Sequence, residues 1–376
     1  MDEEQATTAA LAKGGSASSQ PAVYGLFPDE LRADFERLEL RAYRAKQVWR
    51  WLYVDLAGDW QAMTNLPADL RGRLAEIYCL SPATVRGVAG DPAGTRKLLL
   101  ELPDGELIEE VLIPAPDRRT VCVSSQVGCK FKCAFCASGQ SGFQRSLETA
   151  EMVAQVVLAA REYKDRPTNV VFMGIGEPFD NYDNVLKAAR IINDAGGLNI
   201  GARRITISTS GVIPGIQRLA SEGIQLELSV SLHAPDDKLR SALMPINRKY
   251  PLADLLAACT DYAQRTNRIV TFEYTLIKGV NDSREQAEAL VRTLRPVACR
   301  VNLIPLSTVE EYVGEASPSE RVSMFLDVLS RARINTTVRA SKGSDVRGAC
   351  GQLRSQTMRQ PEVGDPQSGD HGADVA

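Results

Sequence analysis

Histidine is almost missing from this chain: of 376 residues only His233 and His371 are histidine, and the second sits in a polar terminal stretch. Acid–base catalysis by imidazole is thereby nearly excluded, so any chemistry must rest on acids, thiols and a cofactor. No run approaches the roughly 20 consecutive apolar residues that a bilayer crossing needs. The opening Met1-Asp2-Glu3-Glu4 is acidic where a secretory signal is basic. The expectation is a cytoplasmic protein with no membrane partner. There is no excess of positive charge either, with a formal net charge of -3 and a pI near 5.7, so any nucleic-acid contact must be a local patch. Eight cysteines are spread through the chain without the density of a secreted disulfide scaffold, which points to a reducing compartment.

What is present suffices for a sizeable core: 44% of residues are hydrophobic, and the length fits one large domain with a smaller partner. Residues 1–22 and 354–376 are polar and without apolar period, and are expected to be disordered. From 23 to 80 the pattern is helical, with Leu31, Phe35 and Leu38, then Tyr43, Val48, Trp51 and Leu52, at three- and four-residue steps and Pro67 opening a further helix. Arg41, Arg44 and Lys46 lie among aromatics there. That composition suits phosphate contact and stacking, and equally a solvated basic face. Residues 81–114 form a β-hairpin extension, with Lys97–Leu102 and Leu107–Ile113 flanking Pro103-Asp104-Gly105-Glu106 and Pro114 ending the second strand. From 115 to 353, strands alternate with helical stretches. The strands are expected near 121–124, 170–173, 205–208, 226–231, 270–276 and 301–304. This predicts βα units around a parallel sheet. Six units are too few to close an eight-stranded barrel, so an α/β fold with an open, partial (β/α)6 barrel follows, its functional loops at the strand C-terminal ends.

Cys129, Cys133 and Cys136 make a C-x3-C-x2-C pattern. Three thiolates from one loop leave one position of a four-iron, four-sulfur cluster open, where electron carriers use four thiolates. A zinc site closed by a distant Cys or His and plain burial are the competing readings. At later strand ends stand Gly174-Ile175-Gly176-Glu177-Pro178, with a carboxylate suited to an ammonium group, then Ser208-Thr209-Ser210, Ser231-Leu232-His233 and Asn302. Each alone is more often a turn or cap. Together, in register at strand ends, they suggest a ligand cradle.

Val123-Ser124-Ser125-Gln126-Val127-Gly128-Cys129, Ser138 to Arg145, Ser231 to Pro235, Pro245-Ile246-Asn247 and Ala349-Cys350-Gly351-Gln352-Leu353 together resemble the RlmN/Cfr family of radical S-adenosylmethionine (SAM) RNA methyltransferases. The resemblance covers roughly Glu109 to Leu353. It implies a radical SAM barrel, a 4Fe-4S cluster on Cys129, Cys133 and Cys136, and SAM held by Gly176, Glu177, Ser208, Ser231, Leu232, His233 and Asn302. It also implies that Cys350 carries a methyl group from one SAM, a second SAM cleaved at the cluster removes hydrogen from it, and the resulting carbon adds to an adenine. Cys122 then resolves the RNA–enzyme link as a disulfide forms, and Glu109 removes the ring proton. Without the resemblance, Cys122 and Cys350 read as small packing residues and Glu109 as ordinary strand charge. Cys79, Cys259 and Cys299 are taken as packing residues. The implied substrates are 23S rRNA and tRNA at adenine carbon 2, with a flavodoxin-like external electron donor and a monomeric protein. A Cfr-type carbon-8 enzyme is the alternative within the class, and a non-catalytic metal-containing RNA-binding protein the alternative outside it. Leu306-Ser307-Thr308 lacks the Asn-Pro that often follows this strand in the family, leaving that loop's conformation open.

Overall fold

Helix starts in the N-terminal segment are written in its side chains. The computed structural model describes residues 20–307, 309–310, 312–339 and 346–353; the terminal stretches 1–19 and 354–376, with His371, and Thr308 and Glu311 lie outside the described residues. Helix α1 (Pro28–Arg37) opens on a proline whose missing N–H costs nothing there, and the Glu30 carboxylate accepts the Phe27 N–H at 2.7 Å. Helices α2 (Tyr43–Tyr53) and α3 (Ala68–Ile77) follow. Leu31, Phe35, Val48 and Leu52 are buried as expected. Tyr43 is 53% exposed, however, and Trp49 and Tyr53 fill the interior in place of Trp51. At 3.6 residues per turn, positions 45, 48, 49, 52 and 53 share one stripe, while 43 falls far from it. Trp51, at the stripe's margin, donates its Nε1–H to Asn65 Oδ1 at 2.7 Å. Order begins earlier than expected: Gln20 Nε2 donates to the carbonyls of Ala75 and Glu76, and Pro21 accepts from the Cys79 N–H. The module packs on the core where Gly197 leaves room, since a Cβ there would meet Trp49 Nε1 at 3.1 Å.

The sheet begins as an antiparallel meander of β1 (Thr84–Ala89), β2 (Arg96–Glu101), β3 (Leu107–Ala115) and β4 (Arg118–Cys122). Gly105, at φ +85°, makes the turn between β2 and β3. Pro114 does not end β3 but pairs with Arg119. Pairing with β2 stops at Leu112, so on that side Pro114 has no ladder bond to lose. After β4, the ribbon β5 (Gln126–Gly128) and β6 (Phe143–Ser146) brackets the short helix α4 (Ala137–Gln140). Helix α5 (Thr149–Tyr163) then leads to β7 (Asn169–Phe172), α6 (Tyr182–Asn193), β8 (Ile205–Thr209), α7 (Ile213–Leu219), β9 (Glu227–Ser231), α8 (Asp237–Leu243), α9 (Leu252–Thr266), β10 (Val270–Leu276), α10 (Arg284–Leu294), β11 (Cys299–Pro305), α11 (Ser319–Arg331) and β12 (Asn335–Val338).

All the expected parallel strands are present, and β4-β7-β8-β9-β10-β11 pair in that order, each parallel to the next. A seventh, β12, extends the sheet beyond β11. Its sequence, Asn335-Thr336-Thr337-Val338, is polar and mostly exposed, so it lacks the apolar run that marks a buried strand.

One buried acid is a liability. Glu110 on β3 is fully buried and neither carboxylate oxygen has a hydrogen-bond partner. Burial, reinforced by the nearby Glu162, pushes its carboxyl well above the usual range. A raised folded value means the unfolded chain loses its proton first, so stability falls as pH climbs past the unfolded value. Glu110→Leu is expected to raise stability at neutral pH by about 1–3 kcal/mol and to flatten its decline with rising pH, as thermal melts across a pH series would show.

Candidate active site

The cysteine loop is closed by backbone geometry that only glycine permits. Gly128 has φ +73°, and a Cβ there would fall 1.8 Å from the Gly142 carbonyl oxygen. With that contact open, Cys129 N–H donates to Gly142 O at 2.8 Å. Across the loop, Cys136 N–H donates to Cys133 O at 3.2 Å and Ala134 N–H to Leu243 O at 2.9 Å. Cys129, Cys133 and Cys136 all line one cavity at the strand C-terminal ends. Burial raises each thiol above its ordinary range, that of Cys129 to about 12, and the other two cysteines add to the effect on Cys133. Three partly exposed thiols lining one cavity suit a polycationic cluster, which would draw them into the thiolate form. Among the described residues no three His, Cys, Asp or Glu side chains converge on a single metal ion. The donor set, three thiols spread around a roomy cavity, fits a multi-iron cluster better than a closed zinc site.

The rest of the cavity follows from the strand ends. After β7, a Cβ on Gly174 would meet Val123 O at 2.7 Å, and one on Gly176 would meet Gln126 Cβ at 2.6 Å. These glycines admit the strand that precedes the cysteines, so the approach they allow is to the protein's own backbone. Glu177 is thereby set into the cavity wall, its Oε1 accepting from Phe179 N–H at 3.0 Å and its Oε2 from both the N–H and the hydroxyl of Ser210 at 2.7 Å. Burial raises its carboxyl, and these bonds oppose the rise. Ser208, Ser231 and His233 line the same cavity. His233 adopts φ +57° and its Nδ1 accepts from Thr275 N–H at 2.8 Å. Burial and then Arg240 lower it to about 3, so the ring is neutral with its proton on Nε2, a donor.

Arg240, unforeseen in the sequence, holds this floor together. Fully buried, it donates to the carbonyls of Leu232, Ser210 and Ser231 and to Asn247 Oδ1. Leu232 itself points into the core; its N–H and carbonyl go to Glu273 and Arg240. Asn302 also departs from expectation. It lines a second, interior cavity, donating to Glu273 Oε1 at 3.0 Å and accepting from Thr337 at 2.5 Å, while Ser307 lines the cavity of the cysteine loop. On β11, Asn302 is the direct partner of Glu273 and therefore faces the barrel interior.

Cys350 lies in the wall common to both cavities, and Cys122 lines the interior one. The loop carrying Cys350 is fastened to the cysteine loop: Ala137 N–H donates to Gly351 O and the Ser138 hydroxyl to Leu353 O, both at 2.7 Å. Burial and then the neighbouring Cys350 push Cys122 up to about 12, and Arg339 opposes this. Arg339, between Cys350, Glu273 and Cys122, is raised in turn, with Cys350 the largest cause. Of the residues read from polar strand ends, Gly176, Glu177, Ser208, Ser231 and His233 line the cavity of the cysteine loop, whereas Arg339, Glu273 and Arg240 gave no local motif. Glu109 is not a wall residue of either cavity. Its Oε1 is paired with Lys97 Nζ at 2.7 Å, and that lysine also reaches the Arg347 carbonyl at 3.4 Å in the Cys350 loop.

Residues 123–292 match the family model described as the radical SAM superfamily, and residues 23–80 that of the ribosomal RNA large subunit methyltransferase N-terminal domain. A curated relative from Streptococcus pyogenes serotype M3, a probable dual-specificity RNA methyltransferase RlmN, is 45% identical over 350 residues, 91% of this chain and 97% of its own. Another of the same description, from Clostridium novyi, is 43% identical over 332 residues, 88% of this chain and 97% of its own. Among solved structures, a radical SAM methyltransferase from Sphaerobacter thermophilus superposes with a TM-score of 0.87 at 48% identity, covering 89% of this chain and all of that one.

Proposed function

Since this chain belongs to the RlmN family of radical SAM RNA methyltransferases, we propose that it methylates carbon 2 of an adenine in 23S rRNA and in tRNA, using its own Cys350 as methyl carrier. As a member it is an enzyme whose cofactors are a 4Fe-4S cluster and SAM. The observation that carries the finer reading is the place of Cys350 between the two cavities. One cavity has thiols for the cluster and Glu177 for the SAM ammonium; the other has room for a substrate.

Carbon 2 of adenine is electron-poor and does not attack a sulfonium, so a protein nucleophile must take the methyl group first. A thiolate is suited to that task, and Cys350 is the exposed cysteine of this region. When bound, cluster and SAM supply an electron and a carbon radical able to remove hydrogen from the Cys350 S-methyl group. The Cys350 carbon then bonds to adenine carbon 2, and the radical adduct so formed gives up one electron to the redox system that supplied it. Glu109 takes the ring proton, which requires its carboxylate to leave Lys97 or the Cys350 loop to shift toward it. Cys122 attacks the Cys350 sulfur and forms a disulfide with it as the bond from that sulfur to the methylene carbon breaks; the leaving carbon takes the proton given up by the Cys122 thiol and becomes the methyl group. Arg339, near both sulfurs, opposes the rise of the Cys122 thiol.

The relatives are described as dual-specificity RNA methyltransferases; a dual specificity for rRNA and tRNA is part of the proposal here, with a flavodoxin-like electron donor, a cytoplasmic location and a monomeric state. No helix among the described residues is long and apolar enough to cross a membrane. Arg44 stacks on the exposed Tyr43 ring at 4.9 Å, which suits the RNA contact suggested for that face. Nucleosides from RNA of cells lacking the gene, measured by mass spectrometry, are expected to lack 2-methyladenosine. Its persistence, or loss of 8-methyladenosine instead, would defeat the carbon-2 reading.

A further inference from the structure

The interior cavity has two ends of different chemistry. At the N-terminal ends of the parallel strands it is lined by Arg118, Arg203 and Arg300 with Asn169 and Glu227. Glu227 is the acid there and is already shared, accepting from Arg300 at 2.8 Å and also from Arg268. Neither Arg118 nor Arg203 has an ion pair among the described residues, and the buried Arg268 Nε has no hydrogen-bond partner. The rim therefore carries uncompensated positive charge on a chain that is acidic overall.

The inner end is where the cavity meets Cys122, Cys350 and Glu273. Glu273 is 4% exposed. Its Oε1 accepts from Ser229 at 3.2 Å and from Asn302 at 3.0 Å, while Oε2 is buried with no partner. A buried acceptor left open in an otherwise satisfied cluster is the mark of a missing donor.

We propose that this cavity receives the target nucleotide from the strand N-terminal ends: the base inserts toward Cys350 with its exocyclic amine donating to Glu273 Oε2, and Arg118, Arg203 and Arg300 hold the flanking phosphates. The inference rests on the RNA methyltransferase reading and adds the route and the contacts. A base enters such a cavity only if extruded from its stack, which costs a few kcal/mol; phosphate contacts at the rim offset that cost and are sequence-independent. The amine contact supplies discrimination, since adenine presents an amino donor that purine lacks.

The test uses cluster-loaded protein and a fluorescein-labelled RNA stem-loop with an unpaired adenine in its loop, titrated across a salt series. Arg118→Ala/Arg203→Ala protein, shown by iron content and circular dichroism to be folded, is expected to bind about tenfold more weakly, with a salt slope shallower by about two, one for each phosphate contact. Each single variant should show about half the slope change, which keeps the test alive if the double variant is unstable. The same RNA with purine at the target position should bind wild-type protein about tenfold more weakly, the loss of one hydrogen bond to a charged group. Variant affinity and slope equal to wild type overturn the phosphate rim, and equal binding of the purine RNA overturns the role of Glu273. Wild-type protein that neither binds nor methylates the stem-loop overturns the RNA methyltransferase reading along with this one.

Discussion

Purified Cys122→Ala protein is expected to carry covalently attached RNA. In the account above Cys350 bears the methyl-derived carbon through the radical step, and the bond between that carbon and adenine is broken from the enzyme only when a second sulfur attacks Cys350. Cys122 is the cysteine placed for it: it lines the interior cavity with Cys350, which helps to raise the Cys122 thiol. Removing Cys122 leaves the carrier, the cluster thiols and Glu177 in place, so the enzyme should complete attachment and stop. The preparation should show excess nucleobase absorbance and a mass increase that ribonuclease trims, and both should vanish in Cys122→Ala/Cys350→Ala. Resolution also has a pH signature. With Cys122 pushed up to about 12 by burial and by Cys350, the resting group is a thiol, so wild-type resolution should quicken as pH rises. A Cys122→Ala protein free of RNA yet methylated at Cys350 would remove the resolving role.

Replacing Cys133 by alanine should bring iron content to background and abolish both SAM cleavage and RNA methylation. Cys133 sits centrally in the loop: burial raises its thiol, and Cys136 and Cys129 raise it further. Such a group becomes a thiolate only against a strongly positive partner, and two remaining thiols cannot retain the cluster. Folding should survive, because the loop's framework is backbone bonding from Cys129 to Gly142 and from Ala137 to Gly351, none of which needs the Cys133 sulfur. Iron and sulfide assays with a visible spectrum decide it; a Cys133→Ala protein with full iron would refute the ligand assignment.

Much of this was readable from the chain because local signals and global fold agree. Apolar runs marked β4 and β7 to β11, and C-x3-C-x2-C pointed to a cluster, while Cys350 entered by resemblance alone. β12 was not legible, since a polar, exposed edge strand has no apolar pattern. Asn302 was read from its strand-end position without its register, and its pairing with Glu273 sets it in the wall of the interior cavity. Glu109 entered by resemblance, and its pairing with Lys97 joins β3 to β2 and to the Cys350 loop, a contact that only the folded chain makes. Arg240 and Arg339 act through distant partners, which no spacing announces.

The central claim is that the methyl group reaches RNA by way of Cys350 and loses a hydrogen on the way, and isotopic labelling of that group tests it most directly. Cluster-loaded protein is given RNA, an electron source and SAM whose methyl group is fully deuterated, and the modified nucleosides are analysed by mass spectrometry. The account predicts 2-methyladenosine whose methyl group keeps two deuteriums and gains one hydrogen, with the third deuterium in 5′-deoxyadenosine. A methyl group that arrives on RNA with all its deuterium, or at carbon 8, would contradict it.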